Sequence, residues 1–370
     1  MLLNDYDDIR EGMPALLSQI LARPAVAIDL GTANTRVASA DGLRLVEGPS
    51  LIRHVQQGRP EQGEDEYISY INNKLVSSPL RGGVIIDVRN AANLIRPLLK
   101  KAAPSWRAPL VLSCAPTDSS DHERRFLAEA ISRAGARRVV IIPEVWAAAL
   151  GAGINVDAGV ASLLIDIGEG VTDMAVIRER RVVFATAVRT ACADLQRAVR
   201  NVAIIGHKIS LYPHEVQRLT QEVVGRATSD DPPAEGKIKA VGMGIVSGRE
   251  MSVEVSRREL IGAIEPVLGR IMLMIEVGLR RLSPELTAEI SRSGICLSGG
   301  GACFQGMDRL VARRTGLAVR LAPEPLNSVI NGVRSALGQW RRQDGWWKNV
   351  VWPNVPQSRE VPEAVARLAP

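Results

Sequence analysis

Paired cysteines, paired histidines and long apolar runs are all missing from this chain. The four cysteines (Cys114, Cys192, Cys296 and Cys303) form no CxxC pair. They sit among apolar residues, as the reduced core thiols of a cytoplasmic protein do. The four histidines are scattered, with no HExxH-type pair, which excludes a zinc site of that kind. No run approaches 18 uninterrupted apolar residues, so no transmembrane helix is predicted. The first residues, "MLLNDYDDIREG", carry early acids and lack the basic start of a secretory signal. No helix gathers a basic face with base-reading residues, so no nucleic-acid partner is expected. The net charge is +6 with a pI of about 9.4. That excess suits an anionic partner, but arginine-rich compositions also arise without one, and both readings stay open.

What remains is an ordinary globular composition, 46% hydrophobic and 23% charged over 370 residues. That length predicts two or three packed units. Residues 1–24 read as an extension, with a helix over 13–21 stopped by Pro24. Then "AVAIDLGTANTRVASADG" reads as strand, glycine turn, strand. A polar loop or hairpin follows at 53–66. A strand over 82–88 leads into a helix through Lys101, and a buried strand covers 109–116. A helix over 119–136 has a start signal and a glycine stop. The strand "RRVVIIPE" and a short helix at 145–153 close the first half. The second half repeats this grammar: strand–turn–strand at 162–189, helices over 193–226, strands near 238–255, a long amphipathic helix at 257–281, and "GICLSGGGAC" as strand plus glycine turn. Repetition of this kind predicts a duplicated α/β fold.

The echo is local. "AIDLGTANTRVA" returns as "LIDIGEGVTDMAV". Each has an Asp ending an apolar strand, then a glycine-bearing turn, then Thr and a second strand. Consecutive N–H groups in a tight turn can converge on phosphate oxygens, and glycine lets the backbone come close. An Asp at the strand end can hold Mg²⁺ through water. A third turn, "SGGGA" (298–302), would let backbone lie against a sugar or base. Each turn alone reads equally well as a plain hairpin; three in this order are more specific.

With these residues the chain resembles the actin/DnaK-type/sugar-kinase ATPase superfamily (a ribonuclease H-like fold), and within it the bacterial actin MreB family. The resemblance runs from about Ala25 to Leu337. It rests on the two loops, on "GPSL" and "GGVIIDV", on the "PEVWAAALG" block, and on "GICLSGGGACFQGMDRLVARRTGLAVRLAPEPLNSVINGV". It implies an α/β fold of two lobes, each of two subdomains, around a nucleotide cleft. Lobe I would comprise 25–156 plus 320–340, with a small subdomain at about 50–84. Lobe II would span 157–319, with a small subdomain at about 196–257, and a Trp-rich basic tail would cover 341–370. ATP and Mg²⁺ would be bound. Asp29 and Asp166 would order waters on the metal. Gly31, Thr32, Ala33 and Asn34 would wrap phosphate from one side, and Gly168, Glu169, Gly170 and Val171 from the other. Glu144 would position the attacking water, the main service a protein performs in phosphoryl transfer; a plain helix N-terminal carboxylate is the competing reading. Gly299, Gly300 and Gly301 would border the adenosine. Glu215 and Arg218 would lie over ribose and base, or on a solvated helix face.

The sequence departs from that family at three places. MreB reads D-I-G-G-G-T-T-E in the second loop, whereas this chain has Glu169 for a glycine and Val171 for a threonine. Eukaryotic actin is similar to this version, and its acid can face metal-bound water or the ribose. "RTACADLQ" (189–196) stands where MreB has Gly-Gly-Asp beside the nucleotide, and Val145 replaces a proline. These departures weaken the expectation of hydrolysis more than that of binding.

Six tryptophans are present. Trp106 falls in a loop that resembles the membrane-facing loop of MreB, and Trp346 and Trp347 lie in the tail among Lys and Arg. Trp beside cations suits a membrane interface, and packing of the tail on the body is the alternative. The resemblance implies head-to-tail filaments, an anionic inner membrane surface as partner, cell-wall synthesis or other membrane proteins nearby, and a cytoplasmic, membrane-peripheral location with slow ATP hydrolysis. A non-polymerising nucleotide-dependent membrane adaptor and a small-molecule kinase are the competing functions.

Overall fold

The computed structural model describes residues 24–53, 68–71, 74–105, 107–229 and 235–340. The expected helix at 13–21, Trp106, Trp346, Trp347 and the tail lie outside the described residues. No helix among those described is long and apolar enough to cross a membrane.

The echo in the sequence becomes a repeated sheet. In the first half, strands Leu45–Pro49, Asn34–Ser39 and Ala25–Leu30 form an antiparallel meander, continued in parallel by Leu110–Ala115 and Arg138–Pro143. In the second half the same order recurs: Arg181–Val188, Thr172–Arg178 and Ser162–Ile167, then Ile295–Ser298 and Val319–Leu321. The central strands Ala25–Leu30 and Ser162–Ile167 are apolar and buried on both faces, as strands covered by helices on each side must be. A small three-stranded sheet is attached to each half. One joins Ile52–Arg53, Lys74–Ser77 and Ile68–Ile71; the other joins Ile209–Leu211, Lys237–Gly244 and Glu250–Ser256.

Three apolar clusters hold this together. One packs helices Val88–Ala102 and Asp121–Ala134 on the first sheet. A larger one packs helices Cys192–Asn201, Pro213–Ala227 and Arg257–Arg280 on the second. The third lies between the sheets. There helices Glu144–Gly151 and Ser328–Trp340 cross, and residues from both sheets (Leu112 and Ile142, Leu164 and Ala175) meet around buried Trp146. The crossing depends on glycine. A Cβ on Gly151 would stand 1.8 Å from the Ser328 carbonyl oxygen, and one on Gly332 1.7 Å from that of Ala147. Close backbone contact here makes the space between the two sheets a packed core.

Several expected elements differ. The strand over 82–88 is only Val84–Ile85, paired with Leu80–Arg81; Asp87 then caps the following helix by accepting from the Asn90 N–H. The turn between them, Gly82–Gly83, has positive φ at both residues, which breaks any longer strand. The helical region 193–226 is divided. Helix Cys192–Asn201 runs into a π turn (Val202–Gly206), then the short strand Ile209–Leu211, and Pro213 opens the next helix. The four cysteines are free as expected, but Cys303 is exposed, whereas the others are buried.

Candidate functional site

The two glycine turns are built alike. A Cβ on Gly31 would meet the Asn34 carbonyl oxygen at 2.8 Å, and one on Gly168 that of Val171 at 2.9 Å. Each turn thus needs glycine at its first position. In each, the carbonyls are tied down from behind. Ser50 donates its hydroxyl to the Gly31 carbonyl at 2.6 Å and its N–H to the Ala33 carbonyl at 2.8 Å. In the second turn the N–H groups of Cys192 and Ala193, at the start of their helix, donate to the carbonyls of Gly168 (3.2 Å) and Glu169 (2.9 Å). In a trans peptide the carbonyl and the next N–H point opposite ways. The N–H groups of Thr32, Glu169 and Gly170 therefore turn away from these tethers. Ser50 is the functional role hidden in "GPSL".

The turn tips face each other across the space between the sheets. A Cβ on Gly170 would lie 2.9 Å from Thr32 Oγ1 and 3.2 Å from the Gly83 nitrogen. Gly83 in turn donates its N–H to Thr32 Oγ1 at 3.1 Å. Val171 presents its side chain to this Gly82–Gly83 turn, so the position where the resemblance expects a hydroxyl is filled by an apolar contact. Gly299–Gly301 sits beside the second tip: a Cβ on Gly299 would be 2.3 Å from the Ile167 carbonyl oxygen, and one on Gly301 2.3 Å from Ile167 Cγ2. The two turns and Gly299–Gly301 thus converge, while Glu215 and Arg218 engage each other and the small sheet.

Glu215 and Arg218 pair through two 2.9 Å hydrogen bonds, and Arg218 also donates to the Lys239 carbonyl while Glu215 accepts from the Val241 N–H. They fasten their helix to the small sheet. Further along the same helix lies a cavity of about 550 Å³, lined by Gln221, Glu222, Gly225, Arg226 and, from beyond the glycine turn, Gln305 and Arg309.

Glu169 does not project from the tip. Its carboxylate accepts from Gln196 Nε2 at 3.3 Å, on the helix behind, and burial raises its pKa against the opposing pull of Arg200.

Beneath the tips lies a set of buried carboxylates. Asp29 and Asp166 end the two central strands and are buried, and burial lifts each to a pKa of about 6. Asp173, opposite Asp166 across the hairpin, rises to about 7, first through burial and then through nearby acids. Glu144 starts its helix with burial pushing its pKa well up, reinforced by Asp173, Asp29, Asp166 and Asp118. A void of about 20 Å³ beside Asp29 and Glu144 has room for one water. Asp166 Oδ1 and Asp173 Oδ1 are buried with no partner in the protein, a costly state that a cation or its waters would relieve. Among the described residues no three acidic, thiol or imidazole groups converge as direct metal ligands. Carboxylate oxygens without protein partners are donors of the kind that can hold a hydrated Mg²⁺ through its waters.

One contact across the cleft was not foreseen. Arg189 follows the last strand of the second meander and reaches the first half. Its Nε donates to Asp118 at 3.0 Å, and its Nη atoms approach the Gly82 carbonyl (3.3 Å) and Glu123 (3.4 Å). Asp118 is buried, so this pair clasps the two halves beside the facing tips.

Comparison with known proteins gives a consistent result. The family model described as MreB/Mbl protein matches residues 23–344. The chain is 31% identical over 325 residues to the cell shape-determining protein MreB of Escherichia coli (strain K12), covering 84% of this chain and 92% of that one. Among solved structures it is similar to MreB5 of Spiroplasma citri bound to AMPPNP (TM-score 0.74, 26% identity, 87% and 98% of the two chains). The MamK double helical filament has a TM-score of 0.68 at 18% identity, covering 88% and 100%, a likeness of fold. The architecture is the actin-like fold.

Proposed function

This chain belongs to the MreB/Mbl family, and on that premise we propose that it binds ATP with Mg²⁺ between its two glycine turns and polymerises head to tail into filaments that serve cell shape or spatial organisation at the inner face of the membrane. The observation that carries the reading is the meeting of the two tips. Two turns with their carbonyls tethered behind them stand over buried, partnerless carboxylate oxygens. Backbone donors and a dication are what a triphosphate needs. The AMPPNP-bound MreB5 supports the nucleotide, and the MamK filament supports self-assembly.

Carboxylates at the ends of the central strands, Asp166 first and Asp29 across the cleft from it, would stand near Mg²⁺ and its waters, and the ion would offset charge on the phosphates. Thr32 and Gly170 would bracket them. Glu144, half-buried at the start of its helix beside a water-sized void, would orient a water. Val171 offers no hydroxyl to that water, which supports slow hydrolysis. Glu144→Ala is expected to slow phosphate release about a hundredfold while nucleotide still binds; unchanged release removes Glu144 from the mechanism. Membrane attachment rests on Trp106, Trp346 and Trp347 with their neighbouring cations. Sedimentation of the full chain with ATP, with and without anionic liposomes, tests the whole reading. ATP-dependent pelleting that increases with liposomes is expected. Liposome binding without filaments under any nucleotide favours the adaptor function, which the loss of the hydroxyl at Val171 would suit.

A further inference from the structure

The carboxylates of the two hairpins differ in what neutralises them. Asp29 is the strand partner of Arg36, and Arg36 is in turn the partner of Glu47 on the next strand. The three form one row: Arg36 Nη1 lies 3.6 Å from Asp29 Oδ2, and Nη2 lies 2.9 Å from Glu47. Arg36 is mostly buried, and its Nε has no acceptor in the protein. A guanidinium fixed between two acids cannot swing out without leaving Asp29 buried and bare. In the second hairpin the corresponding partner of Asp166 is Asp173. There two carboxyls face each other with no cation between them, both buried, and an oxygen of each lacks a partner.

We propose that Arg36 is a built-in counter-ion that reserves Asp29 from the divalent metal, so that the metal accompanying the nucleotide is held chiefly from the second hairpin, through Asp166 backed by Asp173. This rests on the nucleotide reading of the cleft. The physical basis is simple. A fixed monocation beside Asp29 both supplies its counter-charge and repels a dication approaching it. Two buried carboxyls opposite each other, each with one oxygen that has no partner in the protein, do the reverse: a dication supplies the counter-charge that lets them ionise. The chain would then grip nucleotide asymmetrically, with an arginine supporting one carboxylate and the metal the other.

The test is the affinity of the full chain for a fluorescent ADP, measured with Mg²⁺ and again with EDTA. The ratio of the two reports how far the metal contributes. Arg36→Met keeps the buried stem and removes the charge, so it is expected to raise that ratio about tenfold. Arg36→Lys keeps the charge and is expected to stay within about twofold of the wild type. Should Arg36→Met fail to fold, as its melting curve will show, a second pair decides: Asp166→Asn should lower the ratio about tenfold more than Asp29→Asn. A ratio unmoved by Arg36→Met, or equal losses from the two asparagine variants, overturns the proposal. If the wild type binds fluorescent ADP in neither condition, the nucleotide reading falls and the proposal with it. Binding that persists with an unmoved ratio overturns the proposal alone.

Discussion

In the first hairpin Asp29 stands opposite Arg36; in the second, Asp166 stands opposite Asp173. The backbones are nearly interchangeable: each turn begins on a glycine pressed against the carbonyl three residues on, and each has its carbonyls tethered from behind. The charges are not. Duplication has kept what a turn needs in order to present N–H groups, and that requirement is geometric. It has not kept the electrostatics, because a buried carboxylate can be balanced by a resident cation or by one that arrives with a ligand. The tethers differ in the same way. A side chain and one N–H from Ser50 serve the first turn, and the start of helix Cys192–Asn201 serves the second. Cysteine at 192 is therefore compatible with the site, since its backbone N–H does this work and its side chain is buried; Ala191, also buried, donates its N–H to Asp194 and so starts the helix.

The contrast can be broken at several points. Gly299→Ala has the largest expected effect. It places a methyl against the Ile167 carbonyl and Asp166 Oδ1 at a residue with φ of +81°, and should cost about 3 kcal/mol in urea unfolding. The first sheet has no such glycine at the matching strand end, where Ala115 runs into Pro116; Pro116→Ala should cost less than half as much. Arg189→Ala should come next. It leaves buried Asp118 without this cation, so about 2 kcal/mol should be lost, and small-angle scattering should show a more open apo chain. Unchanged scattering would mean that the apolar cluster around Trp146 holds the halves together without Arg189.

Asp173→Asn tests the like-charge pair through pH. Burial holds the folded carboxyl protonated up to about pH 7, whereas the unfolded chain ionises near its ordinary value of 3.8. Between those values the folded chain carries the extra proton, so this group's contribution to stability is full below the lower value and is lost as pH rises through the upper one. Asn cannot ionise. Relative to wild type, Asp173→Asn should therefore gain about 1–2 kcal/mol at pH 8 and nothing at pH 4 in chemical denaturation of the apo chain. A difference independent of pH would contradict the shift. Glu169→Gln should matter least. Its carboxylate faces Gln196, so fluorescent ATP affinity should change less than about threefold.

The hairpins were legible because their signals are local: an apolar run, Asp, glycine, Thr. The repeated strand order follows from them. The pairing of Asp29 with Arg36 was legible in principle, since a turn of known length sets the register, but it required counting across strands. Arg189 and Gly82–Gly83 were not legible. Their roles depend on how two distant segments meet, and nothing in "VRTAC" or "RGGV" marks that encounter. Strand Ile209–Leu211 was hidden because its three residues continue a helical apolar pattern. The surroundings of Glu215 and Arg218 were hidden for a related reason. A Glu-x-x-Arg pair looks the same on any helix face, and here the small sheet, with Lys239 and Val241, supplies its partners.

The most direct test is a structure of this chain with AMPPNP and Mg²⁺. Triphosphate is expected between Gly31–Asn34 and Gly168–Val171, adenosine against Gly299–Gly301, and the metal nearer to Asp166 than to Asp29. Nucleotide bound elsewhere, or a metal seated beside Asp29 with Arg36 displaced, would contradict that arrangement.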